Sequence, residues 1–407
     1  MEFSQTVEED SMDHRDALPA EHRFGVIDIH MHPTLKTFML GKNMMARHYP
    51  PGFFFPLTMR TDLNALLAGG VKAFFSTIYI VEKDFLTDVW PIRMVQRVLP
   101  RVRHVFSGDP FERAWECLDH QDECIRQINA RRGPVLAVAR SVEEMLDIIA
   151  SGRIAVLLSV EGAHHLSGNL ENLEKLHRRG VCHMIVPHLY PNEACWNVDA
   201  FPDDVNWLRR LGCFRQEIRL DSGLTDFGRA LVERMFDLGI IVDVTHATPR
   251  CRKEVYEIQC GHAKRRPVIF SHVGLHALCA HPMNPTDEEI RTIADTGGVI
   301  GLIAMSYYLS KPIRKDGLNV ILESIDHLIR CGGEDVVAFG SDFDGFTGPP
   351  PDFKSPRDYA VLRERLLKKY SEDQVEKFFS RNVLRVLREG WTPPVMASAA
   401  VAGAAQT

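Results

Sequence analysis

At 407 residues and 45% hydrophobic content, the chain can bury one large core or two ordinary ones. Its net charge is −6 with lysines and arginines spread along it, which argues against nucleic acid or an anionic membrane as the main partner. The nine cysteines are scattered, odd in number and without a C-x-x-C pair, so they read as reduced thiols of a cytoplasmic protein.

Residues 1–23 are acidic and lack both the basic and the apolar segment of a secretory signal; they are expected to form a disordered tail. From there on, short β-rich runs alternate with amphipathic helical stretches. The predicted strands are VIDIHMH (26–32), KAFFSTIYI (72–80), IAVLLSVEG (154–162), CHMIVPHL (182–189), IIVDVTH (240–246), PVIFSHV (267–273), GVIGLIAM (298–305) and VVAFGSD (336–342). Between them, Ser141 with Glu144 predicts a capping box, Asn169 and Thr225 open helices, and Gly180 and Gly239 fall where helix C-caps belong. Residues 33–61 and 190–224 read as long loops. Residues 391–407 read as a flexible tail, and no apolar run reaches the roughly 18 residues of a membrane span. Eight strand–helix units without a G-x-G-x-x-G turn predict a (β/α)8 TIM barrel of the metal-dependent hydrolase type over residues 24–390.

The ends of these strands hold a chemically selected set of residues. His30 and His32 close the first run, Glu161 the third, His188 the fourth, His246 the fifth, His272 the sixth and Asp342 the eighth. In a TIM barrel those ends form the catalytic face. Residues i and i+2 of a strand point the same way, so His30 and His32 can chelate one ion, and imidazole pairs suit zinc. Asp28 stands two residues earlier, where it can orient an imidazole. Glu161 is placed to bridge a cation held by His30 and His32 and another held by His246 and His272. Two such zinc ions would turn a shared water into a hydroxide nucleophile and polarise a carbonyl. Asp342, in GSDFDG, is the candidate to carry the proton to the leaving group, and His188 reads first as a donor to the developing oxyanion, with a third histidine on a metal or a structural residue as the other readings. His164, His165, His183, His276 and His281 read as structural or solvent-facing.

This constellation resembles the membrane dipeptidase (renal dipeptidase) family of the amidohydrolase superfamily from about residue 24 to residue 388. The resemblance is carried by VEGAHHLSGNLENLEKLHRRGVCHMIVPH (160–188), GLTDFGRALVERMFDLGIIVDVTH (223–246), IFSHVGLHAL (269–278), GSDFDG (340–345) and RNVLRVL (381–387). It implies two zinc ions, Glu161 as the bridging ligand, His246 and His272 on one metal, Asp342 as unligated proton carrier, His188 on the substrate, and a homodimer. The chain also departs from that pattern. His30-Met31-His32 stands where the family has H-x-D, making the metal site one unit more positive and its occupancy less certain. His281-Pro282-Met283-Asn284 stands where the family has H-P-R-N, and a methionine cannot hold a substrate carboxylate. Within residues 160–188, His177, Cys182, His183 and Pro187 also depart from it.

The expected function is therefore hydrolysis of a small amide or peptide bond, dipeptidase-like. The alternatives are a metallohydrolase or decarboxylase acting on a non-dipeptide small molecule, and a non-catalytic metal-binding protein. The spare carboxylate of Asp342 argues against the last.

Overall fold

Nine strands form among the residues that the computed structural model describes, which are 18, 22–48, 58–201, 206–345 and 348–394. They are β1 (Val26–Met31), β2 (Val71–Ile78), β3 (Leu136–Val138), β4 (Ile154–Glu161), β5 (Val181–Ile185), β6 (Ile241–Asp243), β7 (Val268–Val273), β8 (Ile300–Leu302) and β9 (Val337–Phe339). All pair in parallel, and a β2–β4 pairing closes the sheet into a ring of eight from which β3 is excluded. The eight predicted strands are those eight. β3 went unpredicted because three residues between a helix and a turn carry too little periodicity to register. It lies against the start of β4 (Leu136↔Ile154), while β5 takes up β4 further along (Glu161↔Ile185).

Polarity changes along the strands. On β4 the alternating residues Ala155 and Leu157 join a buried apolar cluster with Ile27, Ile29, Ala73, Phe75 and Ile269. One step on, the same faces turn polar: Thr77 of β2 donates to Ser159 of β4, whose hydroxyl bonds His183 of β5. The barrel floor is thus hydrophobic and its C-terminal mouth is polar, as the period-two geometry of a strand allows.

The helix punctuation appears as the sequence dictates. Ser141, Asn169 and Thr225 each cap a helix by accepting a backbone N–H, worth about 1 kcal/mol apiece. Glu144, the other half of the expected box, accepts from the N–H of Arg140 instead of Ser141. Gly180 (φ 103°) and Gly239 (φ 78°) adopt the left-handed conformation that ends a helix.

The stretch 33–61 differs from the expected loop. It begins with a helix, Pro33–Leu40, directly after β1, because Pro33 at the first helical position needs no hydrogen-bond acceptor. Stretch 190–224 holds the short helix Asn206–Arg210 and is pinned by Asp88, which accepts from Tyr190 Oη (2.9 Å) and Arg215 N (2.8 Å). Residues 49–57 and 202–205, and most of the two expected tails, lie outside the described residues. No helix among the described residues is long and apolar enough to cross a membrane.

Candidate metal centre

The seven strand-end residues meet at the mouth of the barrel, and all are buried. His30 and His32 lie on and just after β1 with their Nε2 atoms 2.9 Å apart. His246 and His272 form a second pair, Nε2 to Nε2 3.1 Å. Glu161, the last residue of β4, stands between the pairs. Its Oε1 is 3.6 Å from His30 Nε2, 3.5 Å from His246 Nε2 and 3.6 Å from His272 Nε2. Its Oε2 is 3.4 Å from His32 Nε2 and 3.6 Å from His188 Nε2. Asp342 Oδ1 lies 3.3 Å from His32 Nε2 and 3.7 Å from His30 Nε2.

Four of these residues lie beyond their strands, a correction to the expected boundaries, His32 by a single residue. β5 ends at Ile185, β6 at Asp243 and β9 at Phe339, so His188, His246 and Asp342 sit on the turns that follow. His246 (φ 66°) and Asp342 (φ 56°) take the left-handed conformation, which no strand can accommodate and which costs a non-glycine residue of order 1 kcal/mol. Close approach explains the glycines of GSDFDG. A Cβ on Gly340 would fall 1.8 Å from the Ser271 carbonyl oxygen, and one on Gly345 would fall 1.9 Å from Asp342 Oδ1. Only bare backbone lets the chain pass β7 there and leaves room for the Asp342 carboxylate.

The outward nitrogens of the imidazoles are largely engaged. His32 Nδ1 donates to the Thr77 carbonyl at 3.1 Å, His272 Nδ1 bonds Ser271 Oγ at 2.9 Å and His30 Nδ1 meets Thr77 Oγ1 at 3.4 Å. Such partners fix the ring orientation and present Nε2 inward. Asp28 does not orient an imidazole. Its Oδ1 accepts the backbone N–H of His30 and Ser341, its Oδ2 accepts Tyr359 Oη, and burial pushes its carboxyl up to about 6.

Burial holds His30 and His272 well below the ordinary imidazole range and brings His246 down to about 4. For His32 burial acts the same way, but Asp342 and Glu161 outweigh it and raise the ring. Burial raises Glu161 against the pull of His188 and His32. Most of the cluster is thus held as neutral imidazole, the form that offers a lone pair to a metal.

The residues fit such ions. Two facing ring nitrogens can share only one proton, yet two such pairs occur here. Glu161 Oε1, deeply buried among three of these nitrogens, has no hydrogen-bond partner among the described residues. His30/His32/Asp342, His30/Glu161/His272 and Glu161/His188/His246 each bring potential ligand atoms within 4.8 Å of one another. Nitrogen and carboxylate donors at this spacing suit zinc or a similar divalent ion. Asp287, His327 and Cys331 form a fourth such group on the outer helices. There Arg330 donates to His327 Nδ1, leaving the Nε2 proton for Asp287, so the ring has no free lone pair.

Among the remaining histidines, His183 is buried and bonded to Ser159 and Asp243, and His164 and His165 bond the backbone of Ile80, in keeping with structural roles. Met283 is buried in the main apolar core. The neighbouring Arg252 is spent on the carbonyls of Ala247, Pro282 and Met283 and on Glu289. Asn284 holds Gly274 N, the Cys279 carbonyl and the Tyr308 carbonyl.

One residue at the site escaped the sequence reading. Glu82, four residues past β2, is buried and accepts from His188 Nδ1 (3.1 Å), Leu189 N (3.1 Å) and Tyr79 Oη (2.6 Å). Burial would raise its carboxyl, but His188 and His164 more than offset that and hold it well below the usual range. Following the second strand one turn past its apolar run, into IYIVE, would have found it.

Comparison with known proteins finds similarity over most of the chain. A model of the family described as membrane dipeptidase (peptidase family M19) matches residues 16–392. An uncharacterized protein in the pqqA 5′ region of Klebsiella pneumoniae is 31% identical over 291 residues, 70% of this chain and 98% of that protein. Dipeptidase tcpJ of Claviceps purpurea is 25% identical over 338 residues, 82% of this chain and 70% of its own. Among solved structures, a metallopeptidase from Rhodobacter sphaeroides, liganded with a phosphinate mimic of the dipeptide L-Ala-D-Ala, superposes with a TM-score of 0.71. It is 22% identical, with 90% of this chain and 99% of that one covered, and it shares the fold.

Proposed function

The chain belongs to the membrane dipeptidase family, and from that premise we propose that it is a binuclear zinc-dependent hydrolase of small amide or peptide bonds. The observation that carries this reading is the Glu161 carboxylate, with one oxygen unpartnered, set between the His30/His32 and His246/His272 pairs. Zinc held by those five residues would acidify water and polarise the scissile carbonyl. This chain's own residues do the rest. Asp342, a carboxylate beside the imidazoles, takes the proton released on attack and delivers it to the leaving nitrogen. His188 presents Nε2 to the substrate oxygen on which negative charge develops. That none of the nine cysteines is held in a disulfide fits a cytoplasmic setting.

A dipeptide is the reference substrate, as the dipeptidase names among its relatives suggest. The surroundings of Met283 favour a second reading, a non-dipeptide small molecule without a free carboxylate. Met283 is apolar and Arg252 is already engaged, so neither offers a charge to a substrate. Hydrolysis assays of the zinc-loaded protein on free and blocked dipeptides test both. Cleavage of either supports the hydrolase, and cleavage of blocked substrates alone favours the second reading.

A further inference from the structure

We propose that Glu82 is a positioning residue that holds the Nδ1 proton of His188 and so fixes the ring in the orientation that turns Nε2 to the substrate. The inference rests on the substrate-binding reading of His188. The imidazole has two nitrogens, and only one faces the metal centre: Nε2 is 3.6 Å from Glu161 Oε2. The other, Nδ1, meets Glu82 Oε1 at 3.1 Å. A carboxylate can only accept, so this contact requires a proton on Nδ1, and Nε2, the nitrogen turned to the site, donates to a developing oxyanion from the doubly protonated ring.

Glu82 can hold the ring because it is itself held from several sides. Leu189 N–H donates to the oxygen that faces His188, and Tyr79 Oη donates to the other oxygen at 2.6 Å. The Tyr79 ring also packs edge-on against the His188 ring with centroids 4.3 Å apart, which stops the imidazole from turning. These residues come from two segments: Tyr79 and Glu82 follow β2, and His188 and Leu189 follow β5. The carboxylate thereby also ties two loops of the barrel mouth together. Among the described residues Glu82 joins no candidate ligand group, and it stands on the far side of the His188 ring from Glu161.

A double-mutant cycle with a spectroscopic readout tests this. Glu82→Ala should lower kcat about 10- to 100-fold, the usual effect of removing the partner that orients a site histidine, with bound zinc unchanged. Glu82→Gln, whose amide oxygen still accepts from Nδ1, should restore most of the rate. In a His188→Ala background, Glu82→Ala should cost nothing more, because the residue acts through the imidazole. Spectra of protein carrying nitrogen-15 histidine, with His188 assigned by the resonance missing in His188→Ala, should show a proton on Nδ1 in the wild type and in Glu82→Gln. Should Glu82→Ala fail to fold, Tyr79→Phe enters the same cycle, with a smaller loss that also vanishes without His188. The proposal is overturned if the loss persists in full without His188, or if wild-type Nδ1 carries no proton. The spectrum decides even on a substrate the enzyme does not turn over. Full activity of His188→Ala would overturn the role of His188 itself and the proposal with it.

Discussion

Glu161 Oε1 lies 3.5 Å from His246 Nε2, buried and without a hydrogen-bond partner among the described residues. An unsatisfied carboxylate oxygen in such a place costs folding free energy of about 1–3 kcal/mol or more unless something else satisfies it. A divalent ion would do so, and the same ion would take up the lone pairs of the facing imidazoles.

Asp342 is assigned the proton and not a metal. Asp342→Asn should therefore reduce kcat by about 10²–10⁴-fold while bound zinc stays at the wild-type level. Elemental analysis beside steady-state kinetics checks this. Loss of zinc together with activity would make Asp342 a ligand, which its 3.3 Å approach to His32 makes a meaningful alternative.

Gly345 should be intolerant of even one carbon. The Cβ of Gly345→Ala would fall 1.9 Å from Asp342 Oδ1, so the carboxylate must move. The variant should fold and bind metal but approach the low kcat of Asp342→Asn. A fully active Gly345→Ala would show that the position of this carboxylate does not matter.

Acid should weaken the metal-free protein through His246. Its folded-state value of about 4 lies below the ordinary 6.5, so between those pH values the unfolded chain binds the proton more readily and stability falls as pH falls. His246→Asn cannot titrate. Relative to wild type it should gain up to about 3 kcal/mol between pH 6.5 and pH 4, read by urea denaturation in chelator. Parallel pH profiles for the two proteins would contradict the assignment.

Substrate carboxylate recognition should be weak. A charge-assisted clamp contributes about 2–5 kcal/mol, and Met283 supplies none. A dipeptide and its C-terminal amide should then differ in kcat/KM by less than about tenfold, equivalent to 1.4 kcal/mol. A hundredfold or greater preference for the free acid would require a cation elsewhere in the pocket.

The barrel was legible because each of its eight strands carries a β-rich run, and six of the runs, from VIDIHMH to VVAFGSD, have a chemically distinct end. The candidate ligands were legible for the same reason, as Glu161 closes β4 and His272 lies on β7. The turns were not. His246 and Asp342 depend on left-handed backbone that tertiary contacts impose, and nothing in strand periodicity announces it. Glu82 stayed hidden because its partner lies 106 residues away, a pairing that only barrel closure creates. Asp28, read as an orienter of imidazole, proved to serve the backbone of β1 and the turn after β9.

The most direct test of the central claim is the zinc content of the purified protein beside that of Glu161→Gln. A carboxylate shared by two ions predicts about two zinc ions per wild-type chain and about one or fewer in the variant, with hydrolysis lost. A wild-type chain that binds no divalent metal, or a Glu161→Gln chain that keeps the full complement, would contradict it.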